Sequence, residues 1–334
     1  MKDRLLEVSH LKTYFYTPDK REIPAVDDVS FSVDRGETLC IVGESGCGKS
    51  VTSLSIMKLV ATPPGRYVSG EILFEGKNLL AMNQKEIRKM RCKEIAMIFQ
   101  EPMTALNPVH RVGAQIAEAL IINEKIDKRA AREKAIELLG KVGVPDPARC
   151  ADSYPHQLSG GMRQRAMIAL AFSCSPKLLL ADEPTTALDV TVQAQILDLI
   201  QNLKEQHGMT VVFVTHDLGI VAEIADRVVV MYAGRVVEDA ACGQLFENPL
   251  HPYTKGLLKC IPRIDDQRDI LDIIDGQVPT PEDFPKGCRF HPRCPRAMEI
   301  CTSEAPEPIE VGTHLVACHL YAGSMEENRN RGEV

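Results

Sequence analysis

The sequence has no apolar run long enough to cross a bilayer, which takes about 20 residues. Its longest candidates, "TVVFVTH" and "RVVVMYAG", are strand-sized. The chain is therefore not expected to form a membrane channel by itself. A long Lys/Arg run is also missing, and the net charge is −7, so the overall field does not favour nucleic-acid phosphates. The opening "MKDRLLEVSH" lacks the apolar segment of a secretory signal, so an intracellular location is expected. Neither an internal repeat nor a sustained heptad pattern is present, which excludes a solenoid or a long coiled coil.

The 334 residues, 44% hydrophobic and 25% charged, suit one large globular domain with an appendage, or two medium domains. Eleven cysteines are many for a reducing compartment, where disulfides are rare. Cys40, Cys47, Cys92, Cys150, Cys174, Cys242 and Cys260 are scattered. Apart from Cys47, these are read as small apolar groups. The other four, Cys288, Cys294, Cys301 and Cys318, crowd into C-x5-C-x6-C-x16-C.

Alternating "LEVSHLKTYFY" and "AVDDVSFSV" read as half-buried strands, followed by the strands "ETLCIVG", "GEILFEG" and "IAMIFQ". Residues from about Val112 to Val142 are helical in pattern, and another helix begins near Gly161. "KLLLADE" and "MTVVFVTH" read as buried strands separated by a helix, and "DRVVVMYAGRVVEDA" as two strands around a glycine turn. Strands alternating with helices predict a largely parallel α/β sheet. Composition changes after about Glu247 to a Pro-rich, irregular tail, so a boundary is expected near residue 248.

"GESGCGKS" is G-x4-G-K-S between a strand and a helix. Its chemistry is strict. Successive backbone N–H groups of Gly43, Glu44, Ser45, Gly46, Cys47, Gly48, Lys49, Ser50 and Val51 can cradle phosphate oxygens, helped by the helix N-terminus. Lys49 is expected on the β- and γ-phosphates and Ser50 on Mg²⁺. In "LLLADEP", Asp182 ends an apolar strand, where α/β proteins bind ligands, and is the second candidate for Mg²⁺. Glu183 follows as the candidate general base for an attacking water.

Upstream of that strand stands "LSGGMRQR". The order of phosphate loop, Gln100, LSGG, acidic strand, Asp189 in "TTALD" and His216 after "TVVFVT" resembles the ATP-binding cassette (ABC) family over roughly residues 1–240. The resemblance implies an ABC-type α/β P-loop ATPase core, with a mixed sheet and a helical subdomain about 101–170, within a domain spanning 1–247. It further implies that Gln100 senses Mg²⁺ and γ-phosphate and that His216 helps position water. Ser159, Gly160 and Gly161, at a helix N-terminus, would face the γ-phosphate held by a second cassette, so two ATPase chains would pair head-to-tail. Met162 stands where many cassettes carry glutamine. Cassettes stack adenine on an aromatic residue of the early sheet, and Phe15 or Tyr16 fits that place.

"IFQEPMTALNP", "ENPLHPYTKGLL" and "PKGCRFHPRCPRA" resemble the ATPase subunits of oligopeptide and dipeptide importers. That branch implies a peripheral subunit on the cytoplasmic face of the membrane, paired with a second, different ATPase chain beneath two permeases. An extracytoplasmic protein would deliver peptide. A soluble cassette ATPase of repair, translation or cofactor assembly is the competing class. The long coiled coils of the first and the second cassette of the second are missing, and the third should lack this tail.

The four clustered cysteines leave three readings open: free thiols, structural Zn²⁺ and an iron–sulfur cluster. Zinc favours C-x2-4-C knuckles, and none of these spacings qualifies. A [4Fe–4S] cube also takes four thiolates, and Pro295 after Cys294 matches ferredoxin-type runs. Arg289, Arg293 and Arg296 could offset the thiolate charge, and His291, His314 or His319 could replace a thiol. The resemblance favours the cluster, in a C-terminal domain spanning 248–334 that is separate from the ATP machinery.

Overall fold

The computed structural model describes residues 3–186, 188–260 and 274–322. Strands β1 (Arg4–Tyr16), β2 (Glu22–Asp34) and β3 (Thr38–Val42) lead into helix α1 (Lys49–Ile56), then β4 (Gly65–Phe74) and β5 (Lys77–Asn78). Helix α2 (Gln84–Met90) and β6 (Ile95–Ile98) precede α3 (Pro102–Ala105), α4 (Val112–Glu124), α5 (Lys128–Lys141), α6 (Pro147–Asp152) and α7 (Gly160–Phe172). The chain continues through β7 (Leu178–Asp182), α8 (Val190–His207), β8 (Thr210–Thr215), α9 (Leu218–Ile224), β9 (Arg227–Tyr232) and β10 (Arg235–Ala241). It ends with α10 (Cys242–Glu247), α11 (Pro252–Lys259), α12 (Ile300–Ser303), β11 (Ile309–Val311) and β12 (His314–Val316).

These elements form two compact units, the first drawing on 1–5, 33–37 and 81–214 and the second on 6–32, 38–80 and 215–334. In the first, β6, β7 and β8 run parallel, with Ile95 beside Leu178 and Leu178 beside Thr210. Every residue of β6, β7 and β8 is buried, the pattern of parallel strands covered on both faces. Helices α4, α5, α6 and α7 pack on one another beside this ladder. The helical stretch after Val112 is two helices rather than one. Lys125 stops α4 in a left-handed conformation (φ 57°), and Asp127 starts α5 by accepting the N–H groups of Arg129 and Ala130.

The second unit holds the antiparallel sheet β2-β1-β4-β5 and a ladder in the order β3-β9-β10-β12-β11. β3 and β9 are parallel, and the remaining pairs of that ladder are antiparallel. β9 and β10 turn at Ala233 and Gly234, both at positive φ, as the "YAGR" spelling predicts. The sheet structure is therefore mixed. The tail contributes more regular structure than its Pro-rich composition suggests, since β11 and β12 form a hairpin around Gly312 (φ 62°) that extends β10. Among the described residues, no helix is long and apolar enough to cross a membrane.

The C-terminal segment is tied down at one carboxylate. Glu238 on β10 is fully buried and accepts the N–H groups of Leu250 (2.8 Å) and His251 (2.9 Å). The imidazole Nδ1 of His314 lies 3.0 Å from the same carboxylate. A buried carboxylate is tolerated only with such partners.

His251 caps α11 by accepting the Tyr253 N–H at 3.1 Å. Burial, reinforced by the Lys255 charge, pushes its pKa from 6.5 down to about 3. The folded protein thus keeps His251 neutral while the unfolded chain protonates it. Stability should be full above pH 6.5 and lost as pH falls toward 3, by up to ~1.4 kcal/mol per pH unit. Chemical denaturation across this window should show that slope, and His251→Gln should flatten it.

Candidate functional site

The phosphate loop lies in the second unit, between β3 and α1. Its shape depends on close backbone approach. Gly43 sits at φ 152°, and a Cβ there would lie 2.2 Å from the Met231 carbonyl oxygen. Gly48, at φ 100°, would place one 2.4 Å from the Ala25 carbonyl. The Gly234 N–H, at the β9–β10 turn, donates to the Cys47 carbonyl (3.0 Å). The loop is thus seated directly on β2 and the β9–β10 turn. Lys49 is 5% exposed, and its ammonium donates to the carbonyls of Gly43 (2.6 Å) and Glu44 (3.1 Å). Cys47 is buried with its thiol 3.8 Å from the Lys49 ammonium, and burial raises its pKa despite that charge, so it packs as a neutral thiol. Ser50 is the second residue of α1, while Ser45 and Gly46 are exposed at the loop's tip.

The catalytic candidates of the first unit converge at the end of β7. Asp182 is its last residue and 5% exposed. Glu183 follows at positive φ (45°), with its N–H on the Val214 carbonyl (2.9 Å). That conformation is costly for a non-glycine residue. The Gln100 amide donates to the Glu183 carboxylate at 2.9 Å, and the Thr186 hydroxyl at 3.0 Å. Two motifs 83 residues apart are thereby joined in one hydrogen-bonded group. Gln164, 2% exposed and inside "LSGGMRQR", donates to the Pro184 carbonyl and fixes the turn that follows.

Ser159 is the N-cap of α7, its hydroxyl accepting from the Met162 N–H at 3.4 Å, with Gly160 exposed beside it. Asp189 caps α8 by accepting from the Val192 N–H (2.9 Å), and Val190 next to it is 82% exposed. His216 follows β8 and is exposed. On β1, Phe15 is half-buried against Gly65, while the Tyr16 ring carries the Arg66 guanidinium at 5.2 Å.

The cysteine-bearing segment departs from expectation in its charges. Arg289 and Arg293 do not serve to offset thiolates. Arg289 bonds Asp27 and the Ala233 carbonyl and stacks 4.1 Å over the Phe284 ring. Burial, then the Arg235 charge, lowers the Arg289 pKa to about 10. Burial works to raise the Asp27 carboxyl, but the Tyr14 hydroxyl and the Arg289 and Arg235 charges outweigh it and hold it below its usual value. Arg293 reaches Glu44 of the phosphate loop, at 2.7 and 3.1 Å. The segment is therefore in contact with the ATP machinery, contrary to the separation that sequence distance implied. Of the three arginines, Arg296 is the one whose charge favours the Cys294 thiolate.

The three candidate histidines are occupied elsewhere. His291 Nδ1 meets the Cys288 carbonyl (2.8 Å), His314 meets Glu238, and His319 Nε2 meets the Glu304 carbonyl (3.0 Å). The Cys288 N–H donates to the Cys301 carbonyl at 2.9 Å, which brings the first and third of the four cysteines together. Burial pushes the Cys318 thiol up to about 11, with the nearby Cys288, Cys294 and Cys301 adding to the rise. Among the described residues, however, no three His, Cys, Asp or Glu side chains are arranged to hold a metal ion.

Sequence reasoning did not single out Tyr232, Tyr253 or Phe290. These rings form a buried trio with centroids 4.7–5.4 Å apart, and Phe290 lies between Cys288 and Cys294. The signal was the two aromatic residues inside the importer-like motifs "HPYTKGLL" and "CRFHPRC".

The "ABC transporter" family profile matches residues 26–186, and the "Oligopeptide/dipeptide transporter, C-terminal region" profile matches 237–301. The oligopeptide transport ATP-binding protein AppD of Bacillus subtilis is 53% identical over 321 residues, covering 95% of this chain and 97% of that protein. The dipeptide transport ATP-binding protein DppD of Haemophilus influenzae is 48% identical, covering 94% and 95%. Among solved structures, the dimeric ATP-binding cassette MJ0796 with ADP and phosphate is 28% identical, with a TM-score of 0.64 over 71% of this chain and 98% of that one.

The loop's packing gives a direct test. Gly48→Ala forces a Cβ against the Ala25 carbonyl and strains a left-handed φ, so it should lower affinity for a fluorescent ATP analogue at least ~10-fold, read by titration of the purified chain.

Proposed function

Because the chain belongs to the ABC transporter ATP-binding proteins, in the branch of the peptide-transport subunits, we propose that its ATPase activity drives import of di- and oligopeptides through membrane permeases. The observation that carries this reading is the relationship to such proteins over nearly the whole chain, including 237–301, which matches the oligopeptide/dipeptide C-terminal region. In this reading the protein sits peripherally on the cytoplasmic face of the membrane. It pairs with a second, different ATPase chain, and an extracytoplasmic binding protein supplies peptide to the permeases. The C-terminal segment from 248 is the domain that marks the branch.

The residue roles follow from position and chemistry. The loop from Gly43 to Val51 and the Lys49 ammonium bind the phosphates, apart from the N–H groups of Glu44 and Cys47, which the Tyr253 hydroxyl and the Glu44 carbonyl take up. Ser50 and Asp182, with Gln100, are the oxygen donors suited to Mg²⁺, a hard cation that neutralises charge on the phosphates when bound. Glu183 takes the proton of the attacking water, and Gln100 and Thr186 hold its carboxylate in place. His216 orients the γ-phosphate. Ser159, Gly160 and Gly161 at the α7 N-terminus, with Asp189 nearby in sequence to the exposed Val190, present a surface to the nucleotide of the paired chain. Phe15 or Tyr16 stacks on adenine.

We further infer that Cys288, Cys294, Cys301 and Cys318 hold a [4Fe–4S] cluster. Its support lies in the sequence: four cysteines spaced C-x5-C-x6-C-x16-C without a C-x2-4-C zinc knuckle, with Pro295 after Cys294, in a tail that resembles the peptide-importer ATPases. When bound, the cluster would crosslink the irregular segment. Anaerobic purification with iron, sulfide and zinc analysis should return iron and sulfide in equal amounts with a brown colour; a colourless protein containing zinc and no iron would sink this assignment.

The transport reading is tested in proteoliposomes holding the chain with its permeases and partner ATPase. Peptide with its binding protein should stimulate ATP hydrolysis. Glu183→Gln should cut turnover by at least ~100-fold while ATP-driven pairing of the ATPase chains persists. Hydrolysis in that variant at the unmodified rate would refute the assigned base, and hydrolysis indifferent to peptide would refute the solute class.

A further inference from the structure

Glu44, the second residue of the phosphate loop, is held from both sides. On the inner side its carbonyl accepts from the Lys49 ammonium at 3.1 Å and from the Cys47 N–H at 3.3 Å. On the outer side both contacts come from the C-terminal segment. Its N–H donates to the Tyr253 hydroxyl at 2.9 Å, and its carboxylate receives the Arg293 fork at 2.7 and 3.1 Å. Arg293 is far downstream, 249 residues away, between two of the clustered cysteines.

The arginine is built into place. Its side chain is 5% exposed. Besides the Glu44 carboxylate, its guanidinium donates to the carbonyls of Asp275 (3.0 Å) and Ile274 (3.1 Å) and lies 5.8 Å over the Tyr232 ring. The bond to Glu44 holds its pKa above the usual arginine value. A buried guanidinium paired to a carboxylate by two parallel bonds has direction as well as charge. Tyr253 is fully buried, and burial keeps its phenol neutral, so it remains a hydroxyl partner for the Glu44 N–H.

We propose that Arg293 is a positioning residue for ATP binding, acting through Glu44 to hold the first turn of the phosphate loop in its binding shape. A nest of backbone amides binds phosphate well only if its ordering entropy has been removed beforehand. The loop's apex, Ser45 and Gly46, is exposed, and the clamp acts one residue earlier, where the chain is held. Arg293 acts on the phosphate loop through Glu44, so its effect belongs to nucleotide affinity rather than to the chemical step. The fork also makes lysine a poor replacement, because one ammonium cannot reproduce two parallel bonds. The inference rests on the chain's ATP-binding activity alone. It is independent of the solute and of what the four thiols hold.

The test is a double-mutant cycle on the full chain. R293A and E44A should each weaken binding of a fluorescent ATP analogue roughly tenfold, and R293A/E44A no further than the weaker single variant. In the assembled ATPase, R293A should raise the KM for ATP by a similar factor with kcat changed less than about twofold. Should R293A fail to fold, R293K replaces it: an intermediate loss of affinity that vanishes on the E44A background is expected. Wild-type affinity in E44A, additive losses in the cycle, or a fall in kcat at unchanged KM would each overturn the proposal.

Discussion

The governing constraint on this chain is the requirement that a short loop turn its backbone N–H groups inward around an anion. Such a loop cannot form on its own, since it gives up hydrogen bonds that helices and strands provide automatically. Here the missing support comes from outside. Carbonyls of β2 and of β9 press against Gly43 and Gly48, and the β9–β10 turn bonds Cys47. The glycines are a consequence of that pressure, because any Cβ would strike the supporting backbone.

Burial of charge follows from the same demand. Glu44, Asp27 and Glu238 are three carboxylates withdrawn to different degrees from water within one unit, each matched by donors from distant sequence. Unpaired, a buried charge of this kind costs several kcal/mol. Paired, each fixes the geometry of the chain around it. Arg293, Arg289 and His314 all come from the C-terminal segment, so that segment is joined to the nucleotide-binding unit by two arginine ion pairs and a histidine–carboxylate contact, as well as by the aromatic trio of Tyr232, Tyr253 and Phe290.

Sequence legibility tracks how narrowly chemistry restricts residue choice. Phosphate binding requires glycine at fixed intervals and a lysine at one position, so Gly43, Gly48 and Lys49 could be read directly. The acidic strand was equally plain, because apolar residues run unbroken to Asp182. The family resemblance put Gln100 and Glu183 at one ATP site but gave no sign of the hydrogen bond between them, since nothing local links residues 83 positions apart. In the tail the reading failed in an informative way. Arg289 and Arg293 stand beside cysteines in sequence, and proximity suggested compensation of thiolate charge. Their partners instead lie 262 and 249 residues upstream. Side-chain direction in an irregular segment is set by tertiary packing, and no periodicity announces it. The β11–β12 hairpin escaped notice for a related reason, as three-residue strands are too short to display alternation.

Glu238 has one more consequence. The residues that begin the C-terminal segment, Leu250 and His251, and one near its end, His314, meet at this single carboxylate. The chain between them is thus a lasso with both feet on one post. Lengthening a closed loop is thermodynamically mild, about 0.6 kcal/mol per doubling, whereas displacing either foot strands a buried charge. A change in length between these feet is therefore tolerated only where it leaves Glu238, and the Arg289 and Arg293 anchors within the stretch, in place.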